Sequence, residues 1–296
     1  MVNMNKSKKP AEPLPPKPLR RPVVLLLLDG WGVSNTRENN AIRQAKIPNF
    51  KHLVAHYPAA VISGSSKKDS INYTMIGAGS LESNQISLSK IITDCRWKQI
   101  KIAETEKFAL ISNFFNNSPD QFLGEDYDLV PSVIKSAEDV DIKMSTPEVI
   151  KHFSQALKSN RYDFILLSLA NIDNVSHYGD FKKTIAAIEF IDQTLKKIAQ
   201  LVLNQKGILL VTSSHGYAEQ VFDLQTDLTT KENTDNPVPV IIVGEEYAGK
   251  TIGLEEAPAN DLSLLDPVGS LLDISPTILH IMGLNVPQTM KGKSLI

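Results

Sequence analysis

Cysteine is nearly missing from this sequence. Cys95 stands alone among 296 residues, so no intramolecular disulfide can form and packing has to hold the fold. That usage suits a reducing compartment, and the cytoplasm is the expected location. A strong excess of either charge is missing too: a net charge of -2 gives no electrostatic reason to expect nucleic acid or an anionic membrane as a partner. Long apolar runs are also absent. The longest, at Val23–Leu28, is too short to span a bilayer and too far along the chain for the apolar region of a signal peptide. What remains, 42% hydrophobic and 22% charged residues, is ordinary for a globular chain that could form one large α/β domain or two smaller ones.

Residues 1–21 contain five prolines and six basic residues with little to anchor them. They are expected to form a solvated, partly polyproline-like tail, with docking on a partner protein as the alternative. The compact part should then run from 22 to 296.

Val23-Val24-Leu25-Leu26-Leu27-Leu28 follows Pro22 and ends in Asp29-Gly30, which reads as a strand buried on both faces. In open α/β sheets the crevice beyond the strand ends binds ligands, so Asp29 is either a turn residue or a site residue. Two further apolar runs repeat the arrangement. Tyr162–Ala170 leads into Asn171-Ile172-Asp173-Asn174-Val175-Ser176-His177, where a helical turn would put Asp173 and His177 on one face as ligands for a divalent cation. Gly207–Thr212 leads into Ser213-Ser214-His215-Gly216. Three strands thus deliver possible metal ligands at the same end.

Around these, helices are expected at 41–45, from 49 with Asn49 as cap, over 85–93 and 98–106, from Thr146 to Lys158, and over the amphipathic Phe181–Leu203. Strands are expected at 60–63, 108–115 and 237–244, the last with prolines that favour an edge or entry position. Ser118 to Glu138 reads as loop. The glycines of Ile76-Gly77-Ala78-Gly79-Ser80 would let backbone approach a ligand or another segment. His52 and His56 share a helix face but have no acidic neighbour in sequence, and His280 is placed on the apolar side of a helix over 273–283.

The motifs LLLDGWG, IAETEKFA with NFF and GEDYDLVPS, NIDNVSH, SHGYAEQ, NPVPVIIVG, DISPTILHIMGL and MKGKSLI occur in that order from about Pro22 to the last residue. Together they resemble the metalloenzyme domain of cofactor-independent phosphoglycerate mutase, within the alkaline phosphatase superfamily. The resemblance implies an α/β three-layer sandwich with a mostly parallel central sheet and helices on both faces. It also implies a centre of two Mn²⁺ or related ions, a serine that takes the phosphate, and an inserted transferase domain that closes over phosphoglycerate. Here the segment near 94–100 passes almost directly to the motif that follows the insertion, so that domain is expected to be absent.

By the same resemblance, Asp29, Asp173, His177 and His215 match metal ligands and Lys107 matches a phosphate-contacting lysine. Ser214 stands where the family has an aspartate, and Asn233 where it has a histidine. Counting back from Ile76-Gly77-Ala78-Gly79 puts Asp69 at the nucleophile position, and a one-residue deletion would bring Ser70 there. Tyr73-Thr74 or neighbouring residues replace the family's Gly-His. Losing a carboxylate and an imidazole from a two-cation centre removes charge and a good donor, so a stable pair of metals is not expected. One weak site using Asp173 and His177, with or without Asn233, is. Two readings of function follow. One is a degenerate relative without mutase activity that binds a protein partner or a small phosphorylated ligand. The other is a metal-dependent phosphomonoesterase or related hydrolase; interconversion of phosphoglycerates ranks third.

Overall fold

The computed structural model describes residues 22–63, 66–82, 85–133, 141–222, 228–230 and 232–296. The proline-rich stretch 1–21 and part of the expected loop at 118–138 lie outside them. In chain order the elements are β1 (Val23–Leu28), α1 (Ala41–Gln44), α2 (Pro48–His56), β2 (Ala59–Ile62), α3 (Asp69–Ala78), α4 (Leu88–Asp94), β3 (Gln99–Glu104), β4 (Glu125–Val130), α5 (Thr146–Lys158), β5 (Phe164–Leu169), α6 (Asn171–His177), α7 (Phe181–Asn204), β6 (Ile208–Thr212), β7 (Val238–Val243) and α8 (Ile274–Met282). The seven strands make one sheet in the order β2-β7-β6-β1-β5-β3-β4. β6, β1, β5, β3 and β4 are parallel, and β7 is antiparallel to both of its neighbours.

The apolar run of β1 explains its central position, because it has no polar face to show to water. Val24, Leu26 and Leu28 pack into one core with α1, α2, α5 and α7, while Val23, Leu25 and Leu27 pack into another with α3, α4 and α8. Helices therefore cover both faces of a mostly parallel sheet, the three-layer α/β arrangement expected from the sequence. No described helix is long and apolar enough to cross a membrane.

Several local expectations are corrected. Residues 98–106 are not helical: Gln99–Glu104 is a strand between β5 and β4, with Ile100 and Ile102 in the α5-side core and Lys101 turned to the other face. The stretch 108–115 is not a strand. A 3₁₀ turn at Thr105–Lys107 leads to a π-helical segment, Leu110–Phe114, because Ile111 and Phe115 sit at helical spacing and are both buried. The expected loop contains β4, an edge strand disguised by its acids. Glu125 among them is buried against Lys101, with Nζ to Oε1 at 2.6 Å. Gly77 and Ala78 belong to α3, and Gly79 caps it in a left-handed conformation.

Asn49 does not cap α2. The helix starts at Pro48, and Asp192 of α7 reaches across instead, accepting from the Asn49 and Phe50 main-chain N–H groups at 3.2 and 2.7 Å. β7 lies one strand in from the edge. Its prolines take the entry position instead, where they are tolerated because β6 pairs only with Ile241–Val243, beyond them. His280 is exposed and bonds to Ser294 Oγ at 2.9 Å rather than packing in the core.

Candidate metal centre

Parallel pairing places the exits of β1, β5 and β6 side by side. The chain is stitched there by main-chain bonds: the Asp29 N–H donates to the Leu169 carbonyl, and the Asp173 N–H donates to the Asp29 carbonyl, both at 3.2 Å. Gly30 is required at this crossing. Its φ is +84°, and a Cβ on it would lie 2.8 Å from the Asp173 main-chain nitrogen.

Asp29 is fully buried, and groups of this chain donate to both of its carboxylate oxygens. Ser214 Oγ donates to Oδ1 at 2.6 Å, and the Tyr73 hydroxyl donates to Oδ2 at 2.7 Å. Lys107 Nζ also lies 3.0 Å from Oδ2. Tyr73 comes from α3 and contacts Ser168 Oγ of β5 at 3.1 Å on its other side. Burial, and then the Asp29 charge, push its hydroxyl well above the ordinary tyrosine range, so it stays a donor.

Asp173, in the first turn of α6, is the second carboxylate. Its Oδ1 accepts from His215 Nε2 at 3.1 Å and lies 3.2 Å from His177 Nε2, while its Oδ2 accepts from Lys107 Nζ at 3.1 Å. Asp173 and His177 thus share a helix face. Burial alone would raise the Asp173 pKa, but Lys107 and then His215 hold it well below the usual carboxylate range. Burial would likewise lower Lys107, yet Asp29, Asp173 and Asp69 together raise it well above the ordinary lysine value.

Asp69 opens α3 and faces the same cluster. Its Oδ1 lies 3.4 Å from His215 Nδ1 and accepts from Asn233 Nδ2 at 2.5 Å, and its Oδ2 is 3.9 Å from Lys107 Nζ. Burial disfavours a charged His215, but Asp173, Asp69 and Asp29 raise its pKa to about 9. Its two ring nitrogens face different partners, Nε2 lying 3.1 Å from Asp173 Oδ1 and Nδ1 2.8 Å from Ser214 Oγ.

The sequence-derived candidates thus fall into three groups. Asp29, Asp173, His215, Ser214 and Lys107 meet in one buried cluster. His177 approaches it from the exposed side through Asp173, and Asn233 approaches it through Asp69 rather than joining Asp173 and His177. Ser70 is half-buried, and its main-chain carbonyl accepts from Thr74 Oγ1 at 3.0 Å; the side chain that reaches the cluster from the start of α3 is that of Asp69. Tyr73 went unrecognised as a partner of Asp29. Its i+4 spacing from Asp69 puts both on one face of α3, a signal that becomes readable only once that segment is known to be helical.

The donor chemistry sets what a metal could use. Asp69, Asp173 and His215 offer atoms within 4.8 Å of one another, a candidate site for one divalent cation. A second cation at Asp29 does not fit, because hydroxyl and ammonium hydrogens already point at both of its oxygens and Ser214 brings no charge. A groove of ≈ 710 Å³ bordered by Lys67, Thr230, Glu232 and Asn233 opens beside the cluster.

The family model of the Metalloenzyme superfamily matches residues 21–286. The chain is 38% identical over 213 residues to the 2,3-bisphosphoglycerate-independent phosphoglycerate mutase of Thermomicrobium roseum, covering 72% of this chain and 39% of that protein. It is 32% identical over 257 residues to the Acetivibrio thermocellus protein of the same name, covering 86% and 47%. The chain therefore spans less than half the length of either relative. Among solved structures, Leishmania mexicana phosphoglycerate mutase superposes with a TM-score of 0.57 at 23% identity, over 70% of this chain and 38% of that one. TAB5 alkaline phosphatase superposes with a TM-score of 0.57 at 13% identity, over 92% and 100%, a likeness of fold. With its strand-end cluster, its three-layer sheet and these relatives, the chain belongs to the Metalloenzyme superfamily, as a homologue of cofactor-independent phosphoglycerate mutase.

Proposed function

We propose that this chain is a degenerate relative of the mutase metal-binding domain that acts by binding, to a small phosphorylated ligand or a protein partner, without mutase turnover. One observation carries the reading: both oxygens of Asp29 are engaged by Ser214, Tyr73 and Lys107. In-line phosphoryl displacement by a metal pair needs one cation to activate the nucleophile and one to hold the leaving oxygen, and an Asp29 so occupied cannot serve a second cation. The nucleophile position supports the same reading, since Asp69 faces the cluster where the family has serine. So does the connection from α4 to β3, only four residues (Cys95 to Lys98), where the family inserts its transferase domain. Any divalent ion, Mn²⁺ or another, binds weakly and at one position.

The second reading, a metal-dependent phosphomonoesterase, is favoured by the convergence of Asp69, Asp173 and His215. Metal content after loading with Mn²⁺ or Zn²⁺, followed by a phosphomonoester screen with Asp173→Ala as control, separates the two. The binding reading expects fewer than two retained ions and no phosphate release that depends on Asp173. Two tightly held ions with hydrolysis abolished by Asp173→Ala would overturn it.

A further inference from the structure

We propose that Lys107 is the resident cation of this site, its ammonium group filling the space between Asp29, Asp173 and Asp69 that a divalent ion would need. The inference rests on the reading above and gives it a physical cause. Lys107 Nζ lies 3.0 Å from Asp29 Oδ2, 3.1 Å from Asp173 Oδ2 and 3.9 Å from Asp69 Oδ2. The ammonium hydrogens can serve Asp29 and Asp173 directly, while Asp69 stands at ion-pair distance. The side chain is 6% exposed and arrives on a short tether, because the 3₁₀ turn Thr105–Lys107 begins directly after β3. Thr105 Oγ1 is held in that turn by Ser132, accepting from its main-chain N–H at 3.0 Å.

The arrangement divides the carboxylates evenly. Asp69 and Asp173 each turn Oδ2 to Lys107 and Oδ1 to His215. A divalent ion among Asp69, Asp173 and His215 would have to share two of its three ligands with a fixed positive charge a few ångströms away. Asp173 and His215 are buried, so solvent screens that repulsion only from the half-buried Asp69 side. The positive charge that would offset these three acids is therefore already part of the chain, and the lysine makes the remaining ligand trio a poor cation site.

The inference predicts a gain of function. Lys107→Met keeps much of the side-chain length and removes the charge, which should open the Asp69, Asp173, His215 trio to one metal ion. Titration of the full chain with Co²⁺, followed by visible absorption and by melting temperature, reads this directly. Wild type is expected to show no saturable Co²⁺ spectrum in the micromolar range. Lys107→Met is expected to bind one ion at least about a hundredfold more tightly, a conservative share of the Coulomb repulsion relieved, and to melt higher when the ion is added. Should three uncompensated acids prevent Lys107→Met from folding, Asp29→Asn with Lys107→Met removes one charge of each sign and leaves the trio intact. Equal Co²⁺ affinity in wild type and variant, or no binding in either, overturns the role given to Lys107. The second of these results leaves the binding reading of the whole protein standing. Two ions in wild type together with phosphate release would remove that reading as well.

Discussion

Replacing Tyr73 by phenylalanine tests the bond network around Asp29 with least disturbance, because it deletes one oxygen and keeps the ring. The hydroxyl lost is fully buried. It donates to Asp29 Oδ2 at 2.7 Å and touches Ser168 Oγ at 3.1 Å. A hydrogen bond to a charged acceptor contributes about 1.5 to 3 kcal/mol. Lys107 remains 3.0 Å from the same oxygen and softens the loss, so the expected cost of Tyr73→Phe is about 1.5 to 2 kcal/mol. Urea unfolding at fixed pH measures it through the midpoint, with an unchanged slope showing that the native state keeps its compactness. A double-mutant cycle with Asp29→Asn assigns the effect to this pair, and a coupling of about 1 kcal/mol is expected. Burial and Asp29 hold the Tyr73 hydroxyl protonated well beyond neutrality, so the cost should be flat over roughly pH 6 to 9. A Tyr73→Phe protein within about 0.5 kcal/mol of wild type, or a cycle with no coupling, would show that Asp29 is not held as described and would remove the observation on which the proposed function rests.

Three further outcomes are expected. Asp192→Ala should cost about 2 kcal/mol in urea unfolding, since the carboxylate that accepts from the first turn of α2 is removed while the N–H groups stay near the core; an unchanged midpoint would contradict that capping role. Gly77→Ala should cost about 2 kcal/mol or more, because the new Cβ would lie 2.0 Å from the Phe115 carbonyl oxygen and backbone must move to admit it; calorimetry showing an unshifted melting temperature would refute the close approach. His152 should titrate above 6.5 in an NMR pH series, chiefly because it bonds to Asp128 at 2.7 Å, and Asp128→Asn should return it toward that value. The sign follows from linkage. A raised histidine pKa stabilises the fold fully below the unfolded value near 6.5, and the contribution fades as pH climbs through the folded value.

The parts of the fold that were legible in the sequence are those whose burial is complete. β1, β5 and β6 have no polar face, so apolar runs marked them, and their common direction brought Asp29, Asp173 and His215 to one end. β3 and β4 escaped notice because their stabilisation is partly polar. A buried Lys101 and Glu125 look like surface residues until the two strands are paired, when each becomes the other's partner. The same reason hid the inner half of the site. Lys107 came from the family resemblance alone, since nothing local says that a lysine after an unrecognised strand will reach three distant acids. Asp69 and Tyr73 share a face only once α3 is known to begin at Asp69.

The five charged residues of the cluster are drawn from positions 29, 69, 107, 173 and 215, so no two of them are neighbours along the chain. Each pair must wait for a strand crossover to close before its charges meet, and such long-range closures come late on the folding path. Charges that pair only after the folding transition state stabilise the native chain without speeding its formation. Interactions of that kind act on the rate of escape from the native state rather than on the rate of reaching it. A cluster closed across β1, β5 and β6 is thus expected to act as a latch at the strand ends, one that slows unfolding more than it speeds folding.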